Sequence, residues 1–240
     1  ASMYLDDPER VKDCLTKITT SSRHLLGLIN EVLDMAKIES GNLGLSEEDF
    51  DLPETVESLM SIMTPQINDK KLNLKVEIAD IQHEHVVGDP MRLQQVFVNI
   101  MGNSVKFTPE GGRITMKVHE AVYASGNEAV LTVSIADTGC GMTKEFAEHV
   151  FDAFTQERNR NSDSQKGTGL GMSISYLLMT QMGGSITVES EPGCGSCFTV
   201  IVTLPTVANG DEPTLAQAPS LISPSVEGAE GRGGTERAEG

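Results

Sequence analysis

The most informative stretch of this 240-residue sequence runs from Pro90 to Phe107, PMRLQQVFVNIMGNSVKF. Its apolar residues recur every three or four positions, which predicts an amphipathic helix. Asn99 and Asn103 lie four residues apart, so their amides share one helix face, and Lys106 follows about one turn later. Amide oxygens can complete the oxygen shell of Mg²⁺, which keeps phosphate oxygens and waters as its other ligands. The stretch is therefore either a metal- and phosphate-binding helix or a helix with a plain solvated face.

A second polar stretch, Asp137-Thr-Gly-Cys-Gly-Met142, directly follows an apolar strand. An ionised carboxylate can only accept hydrogen bonds, so a buried Asp137 at a strand end could accept from the exocyclic amine of adenine. Gly139 and Gly141 allow a positive φ and the close approach of a ligand. An ordinary strand-to-helix turn is the alternative interpretation.

A third stretch, Gly167-Thr-Gly-Leu-Gly-Met-Ser173, opens a predicted helix at 169–182. Glycine-rich backbone at a helix N-terminus presents N–H groups that can bind phosphate. The stretch matches neither the dinucleotide pattern nor the P-loop pattern. The polar residues 155–168 predict a mobile loop, and the glycine-rich stretch resembles the hinge of a lid, which would be formed by residues 155–166.

The remaining sequence predicts the layers of the fold. Further helices are expected at 54–69 and 143–151, and strands at 71–79, 86–87, 185–190 and 197–204. Two more alternating runs, Ile114–Val118 and Leu131–Ile135, are expected to form a hairpin through Ser125-Gly-Asn127. Because most strand pairs would be hairpins, the sheet is predicted to be largely antiparallel, with helices on one face. Aromatic residues are only 4% of the chain, so the core should be Leu, Ile, Val and Met.

The first forty residues predict one long helix. Asp7-Pro8-Glu9 is a strong helix start, and Ser40-Gly41 is a typical stop. Between them, small or apolar residues alternate at steps of three and four, the pattern of a coiled-coil seam. The seam residues are Leu15, Ile18, Ser22, Leu25, Ile29, Val32 and Ala36. Such a helix must pack against another helix, in the same chain or in a partner chain.

Charge and composition exclude several functions. The formal net charge is −17, which leaves no electrostatic footprint for nucleic acid and argues against binding an anionic membrane. No apolar run is long enough to span a bilayer. The four cysteines do not form two CxxC pairs, which excludes a zinc ribbon. Cys194-Gly-Ser-Cys197 is either a redox pair or, as we favour, a turn in a reducing cytoplasm.

In order and spacing, the three stretches resemble the N, G1 and G2 boxes of sensor histidine kinases of the GHKL superfamily. Phe151-Asp-Ala-Phe-Thr-Gln156 resembles their F box, and Glu191-Pro-Gly-Cys-Gly-Ser-Cys-Phe198 resembles their G3 box. The helix ending at Leu33–Gly41 is similar to the second helix of their dimerisation hairpin. The resemblance implies an α+β fold, a two-layer α/β sandwich (the Bergerat-type ATP-binding fold) preceded by a long coiled-coil-like helix. It also divides the chain into a partial dimerisation hairpin at 1–48, a catalytic ATP-binding domain at 49–206 and a disordered tail or linker at 207–240.

The resemblance implies ATP and Mg²⁺ as the ligands. Asp137 would read adenine, Asn99 and Asn103 would hold the metal, and Asn99 and Lys106 would be the catalytic residues. Phe107 would line the base pocket. The other implied nucleotide contacts are Gly139, Gly141, Met142, Gly167, Thr168, Gly169, Leu170 and Gly171, with Arg158, Arg160 and Lys166 as candidate lid contacts to phosphate.

The reaction implied is transfer of the ATP γ-phosphoryl group to a histidine, and then to an aspartate of a response regulator or receiver domain. None of the five histidines fits the family's acceptor motif, so we expect the acceptor helix to precede residue 1 and this chain to be unable to phosphorylate itself. The family also implies a homodimer through the long helix and a cytoplasmic segment, whose parent could be membrane-anchored. Two alternatives remain: a GHKL-type ATPase, in which a glutamate base stands where this chain has Asn99, and a non-catalytic ATP-binding dimerisation module.

Overall fold

The computed structural model describes residues 7–41, 43–122, 128–156 and 168–207. The predicted turn at Ser125-Gly-Asn127, most of the predicted lid and almost all of the predicted tail lie outside these residues. None of the helices in the described ranges is both long and apolar enough to cross a membrane.

The described residues form helices and strands in mixed order. The helices are α1 (Pro8–Glu39), α2 (Leu52–Asp69), α3 (Pro90–Phe107), α4 (Lys144–Ala147) and α5 (Gly171–Gln181). The strands are β1 (Glu48–Asp51), β2 (Asn73–Ala79), β3 (His85–Gly88), β4 (Arg113–Val122), β5 (Glu128–Asp137), β6 (Ser185–Glu191) and β7 (Gly195–Pro205).

The main sheet has five strands in the order β2-β4-β5-β7-β6. Only the β2–β4 pair is parallel, so the prediction of a largely antiparallel sheet is confirmed. Alternate residues of β4, β5 and β7 are buried, and their neighbours are more exposed. This period of two places one apolar face of the sheet against the helices and leaves the other face polar.

Helices α2, α3 and α5 cover the apolar face and contact one another in that order. Their most deeply buried side chains include Met63, Ile100, Met101, Ile174 and Met179, each with no exposed surface. The predicted aliphatic and methionine core and the predicted two-layer α+β architecture are therefore confirmed.

Three local predictions need correction. Strand β1 was not expected; it pairs with β3 in a separate two-stranded antiparallel sheet. Helix α4 is one turn, Lys144–Ala147, and not 143–151, because the hydrogen bonds from His149 and Val150 return only three residues. Helix α5 begins at Gly171 and not at 169, because Gly169 has a left-handed φ of 76°.

Helix α1 has the predicted boundaries. Asp7 caps its first turn by accepting from the Arg10 N–H, and Gly41 follows it with a φ of 67°. Near its C-terminal end, Ile38 is buried in the core and Asp34 contacts the Arg92 guanidinium of α3 at 3.4 Å. The large seam residues are exposed, as are Leu26 and Leu33, which widen the apolar stripe. All are between 47% and 60% accessible: Leu15, Ile18, Leu25, Leu26, Ile29, Val32 and Leu33.

Candidate nucleotide-binding site

Helix α3 supplies one side of the candidate site. Asp89 caps it by accepting from the Arg92 N–H at 3.0 Å, and Pro90 occupies its first turn. Val96, Ile100 and Met101 are buried in the core, so the helix is fixed in rotation. Asn99, Asn103 and Lys106 consequently lie on its less buried side, as the spacing predicts.

Asp137 ends β5 beside the C-terminal half of α3. Its Oδ1 accepts from the Gly139 N–H at 2.8 Å, and its Oδ2 accepts from the Ser104 hydroxyl at 3.2 Å. Burial raises the pKa of Asp137, and hydrogen bonds from Gly139, Ser104 and the Ser196 backbone act in the opposite direction. The structure therefore holds a fixed, partly desolvated carboxylate at the end of a strand.

The turn after Asp137 has no room for side chains at its glycines. A Cβ at Gly139 would lie 2.8 Å from the Phe107 carbonyl oxygen, and one at Gly141 would overlap the Glu191 carbonyl oxygen. Gly141 also has a φ of 65°, a conformation that glycine adopts without penalty.

The β6–β7 turn packs against the same segment. The Gly193 N–H donates to the Cys140 carbonyl at 2.7 Å, and a Cβ at Gly195 would overlap the Asp137 carbonyl oxygen. The Ser190 hydroxyl accepts from the Met142 N–H at 2.8 Å and donates to the Gly195 carbonyl at 2.9 Å. The two turns form one wall of the site.

The glycine-rich segment before α5 approaches α3 directly. Asn99 Nδ2 donates to the Gly171 carbonyl at 3.1 Å and to the Ser175 hydroxyl at 3.2 Å. The Thr168 hydroxyl accepts from the Leu170 N–H at 3.0 Å, and Leu170 is buried. The helix N-terminus at Gly171 is therefore fixed against Asn99.

The F-box residues pack beside this segment. The Phe154 N–H donates to the Gly169 carbonyl at 3.0 Å. The rings of Phe151 and Tyr176 stack with centroids 5.3 Å apart. These contacts fix the start of the segment that leads to α5.

Lys106 and Phe107 occupy the last turn of α3. Lys106 Nζ lies 4.8 Å from the Phe107 ring centroid, close enough for a cation–π contact, and residue Phe107 is 43% exposed. Burial lowers the pKa of Lys106, because a partly desolvated ammonium is disfavoured. An anion placed beside this ammonium would oppose that shift, because it favours the charged form.

Comparison with known families identifies this arrangement. Residues 88–207 match the family model of the histidine kinase-, DNA gyrase B- and HSP90-like ATPases. The chain belongs to this ATPase family. The match includes α3, the glycine turn after β5, the β6–β7 turn and the whole of α5.

Proteins similar to this chain include histidine kinases of sensing and signal transduction. GacS, a sensor histidine kinase of Pseudomonas protegens, is 39% identical over 196 residues, covering 82% of this chain and 21% of GacS. BarA, a signal transduction histidine-protein kinase of Escherichia coli K12, is 37% identical over 187 residues, covering 78% of this chain and 20% of BarA. RpfC, a sensory/regulatory protein of Xanthomonas campestris pv. campestris, is 38% identical over 188 residues, covering 78% of this chain and 26% of RpfC. The chain thus spans only about a fifth to a quarter of the length of these proteins.

Solved structures of the family share the fold. Full-length ShkA in complex with AMPPNP matches with a TM-score of 0.69 at 28% identity, covering 82% of this chain and 39% of ShkA. The histidine kinase ThkA in complex with the response regulator protein TrrA matches with a TM-score of 0.60 at 23% identity, covering 85% of this chain and 54% of ThkA. The second likeness concerns the fold alone. The predicted Bergerat-type ATP-binding fold is confirmed.

The structure brings predicted site residues together in two groups, which are both joined to α3. Direct contacts connect Asn99 with Gly171, and Asp137 with Gly139, which in turn lies against Phe107. Gly167 and the lid candidates Arg158, Arg160 and Lys166 lie outside the described residues. The ligand roles of all these residues remain predictions.

Sequence reasoning missed three serines that hold this site. Ser104 donates to Asp137, Ser175 accepts from Asn99, and Ser190 bridges the two glycine turns. Ser104 and Ser190 stand within or beside the quoted stretches, but a serine is so common in turns and helices that only its partner reveals its role.

Proposed function

We propose that this chain is the ATP-binding catalytic region of a two-component sensor histidine kinase, which donates the γ-phosphoryl group of ATP to a histidine. The family and the relatives support the kinase class. The observation that carries the nucleotide assignment is the Asp137 carboxylate, fixed by Gly139 and Ser104 at the end of β5. In its ionised form it offers only acceptors, which complements an exocyclic amine.

In this proposal the phosphates lie between α3 and the N-terminus of α5. The Lys106 ammonium would neutralise phosphate charge, and the backbone N–H groups of Gly169 and Gly171 would donate to phosphate oxygens. Catalysis of phosphoryl transfer depends mainly on positioning and charge neutralisation, and both are tasks for these groups. Asp137 and Phe107 would hold the base, so the nucleotide is fixed at both ends.

The donor chemistry of α3 fits Mg²⁺. Asn99 uses its Nδ2 for Gly171 and Ser175, and no hydrogen bond to its Oδ1 occurs within the described ranges. Its amide oxygen, with that of Asn103, is therefore available to a hard cation. Across the described residues no group of three or more His, Cys, Asp and Glu could hold a metal, so phosphate and water oxygens would complete the shell. When bound, Mg²⁺ supplies charge neutralisation at the phosphate oxygens.

The acceptor histidine would come from outside this chain. The alternative is an ATPase in which water is the acceptor; Asn99 has no basic atom, so it cannot take a proton from that water. We therefore expect ATP–Mg²⁺ binding with neither robust phosphohistidine on the isolated chain nor rapid ATP hydrolysis.

Titration calorimetry with a non-hydrolysable ATP analogue, with and without Mg²⁺, tests the binding step. Tighter binding with Mg²⁺ and much weaker binding of Asp137→Asn are expected. Incubation with γ-labelled ATP tests the second step. Acid-labile label on the chain would contradict the missing-acceptor proposal, and steady phosphate release would favour the ATPase.

Two partners follow from the same proposal. The exposed apolar seam of α1 supports a homodimer, since burying such a surface between two helices is favourable. Sedimentation velocity should show a dimer that Ile29→Asp dissociates, and a monomeric wild type would refute it. The other partner is a response regulator or receiver domain, and the segment would act in the cytoplasm.

A further inference from the structure

Lys70, just beyond the C-terminal end of α2, reaches across to the end of α3. Its Nζ donates to the carbonyl oxygens of Val105 and Lys106, both at 2.7 Å. The contact is partly buried, and it joins two helices that are adjacent in the helical layer. Lys70 lies outside the sequence motifs, so the motifs assign it no role in the nucleotide site.

The acceptors of this ammonium are carbonyls that a helix cannot satisfy by itself. The last four carbonyls of an α-helix have no partner within the helix. At the end of α3, the Ser104 carbonyl accepts from the Thr108 N–H at 3.0 Å, and the Phe107 carbonyl accepts from the Cys140 N–H at 3.4 Å. Lys70 donates to the two carbonyls that remain, those of Val105 and Lys106, and places a positive charge at the negative end of the helix dipole.

The same turn carries the side chains of Lys106 and Phe107. Lys70 holds this turn from the side of α2, and the turn after Asp137 holds it from the side of β5, where Gly139 packs against the Phe107 carbonyl. The position of the Lys106 ammonium relative to the Asp137 carboxylate therefore depends on both attachments. Loss of either would let the end of α3 fray.

We propose that Lys70 is a positioning residue for nucleotide binding, which fixes the C-terminal turn of α3 so that Lys106 reaches the phosphates while Asp137 holds the base. The inference rests on the proposed function. It does not make Lys70 a ligand of the nucleotide, because its ammonium is directed at backbone carbonyls.

The first test compares Lys70→Met with the neighbouring Lys71→Met in the full 240-residue chain. The control removes the same charge, but the Lys71 ammonium pairs with the exposed Glu110 carboxylate, at 2.7 Å, and not with the end of α3. Titration with ATP and Mg²⁺ should show affinity reduced about tenfold for Lys70→Met, since hydrogen bonds to a charged group are lost. For Lys71→Met the change should stay within about twofold. Lys70→Arg, which keeps the donors, should recover most of the loss.

A double-mutant cycle with Lys106→Met separates positioning from a general structural role. If Lys70 acts through Lys106, then in the Lys106→Met background, where the Lys106 charge is already absent, Lys70→Met should weaken ATP binding by less than about twofold more. A purely structural helix cap would multiply the dissociation constant by the same factor in both backgrounds, and that result would overturn the proposal. Circular dichroism must show that each variant is folded at the titration temperature. If Lys70→Met is unfolded, Lys70→Gln replaces it in the double-mutant cycle, with the same expected and refuting outcomes.

The outcome also distinguishes this inference from the proposed function. If neither Asp137→Asn nor Lys106→Met weakens ATP binding, the nucleotide site itself is misassigned. If both weaken it and Lys70→Met does not, only the role of Lys70 is refuted.

Discussion

Replacing Asp137 with Asn should weaken nucleotide binding and yet stabilise the nucleotide-free domain. The change is nearly isosteric, and two of the three hydrogen-bond partners of the carboxylate, Gly139 and Ser104, can adapt. The Gly139 N–H can still donate to the amide oxygen, and the Ser104 hydroxyl can accept from the new NH₂. The substitution therefore tests the charge of this side chain and its acceptor character, with little change in packing.

The loss of affinity follows from the hydrogen-bond type. A hydrogen bond to a charged group contributes about 1.5–3 kcal/mol. At about 1.4 kcal/mol per factor of ten, removing it should raise the dissociation constant for ATP by about 10- to 150-fold. Isothermal titration measures this, with Asp49→Asn as the control, since Asp49 is an exposed carboxylate that pairs with His85.

The gain in stability follows from the direction of the pKa shift. Burial raises the pKa of Asp137, so its folded pKa lies above its unfolded value. The contribution of such a group to stability is fully present below the unfolded pKa and is lost as pH rises through the folded pKa. At neutral pH the wild type therefore carries the cost of a desolvated carboxylate, and the neutral Asn does not.

Urea denaturation of the nucleotide-free proteins at pH 7 and at pH 4 checks this reasoning. The variant should be more stable at pH 7, with a smaller difference at pH 4, where the wild-type carboxyl is increasingly protonated. Unchanged ATP affinity would show that Asp137 does not face the nucleotide. A variant less stable than wild type at pH 7 would show that the hydrogen bonds outweigh burial.

Three further substitutions test the scaffold. Gly141→Ala should destabilise the domain by at least about 2 kcal/mol in urea denaturation, because its Cβ would overlap the Glu191 carbonyl at a positive φ; a shift below about 0.5 kcal/mol would contradict the packing of the two turns. Lys71→Gly should stabilise the domain by about 0.5–1 kcal/mol in the same assay, since Lys71 has a φ of 51° just beyond the end of α2, where glycine is favoured. A loss of stability would show that the contacts of the Lys71 side chain outweigh the backbone strain. Glu120→Ala should lower the free energy of unfolding by about 2–4 kcal/mol, because this buried carboxylate accepts from two backbone N–H groups and from His83 Nδ1. Glu120→Gln should lower it less, and equal losses for the two variants would refute the hydrogen-bond explanation.

The layers of the fold could be predicted because their sequence periods are strong. Helix α3 has the predicted bounds, since Asp89 and Pro90 fix its start and its apolar face is regular throughout. Strand β1 could not be predicted, because Glu48–Asp51 has one buried residue and no apolar alternation, and its existence depends on pairing with β3.

Part of the candidate site could be predicted from the sequence, and part could not. Asn99, Asp137 and the glycines stand in stretches whose residue types already suggest phosphate and base recognition. The contacts of Ser175 and Lys70 could not be predicted, because each depends on where another segment lies in the folded domain. Sequence spacing places residues on one element, whereas a contact between elements requires the packing of the core.

The order of the strands has a consequence for how this domain is made. Strand β7, the last strand of this sheet in chain order among the described residues, inserts between β5 and β6, and its first residue packs against the Asp137 carbonyl. A nascent chain that has exposed only the residues up to β6 therefore has a β5 paired on the β4 side alone, and the wall formed by the two glycine turns is incomplete. Binding to the finished domain alone would stabilise that domain by mass action, so the nucleotide would favour completed chains over truncated ones.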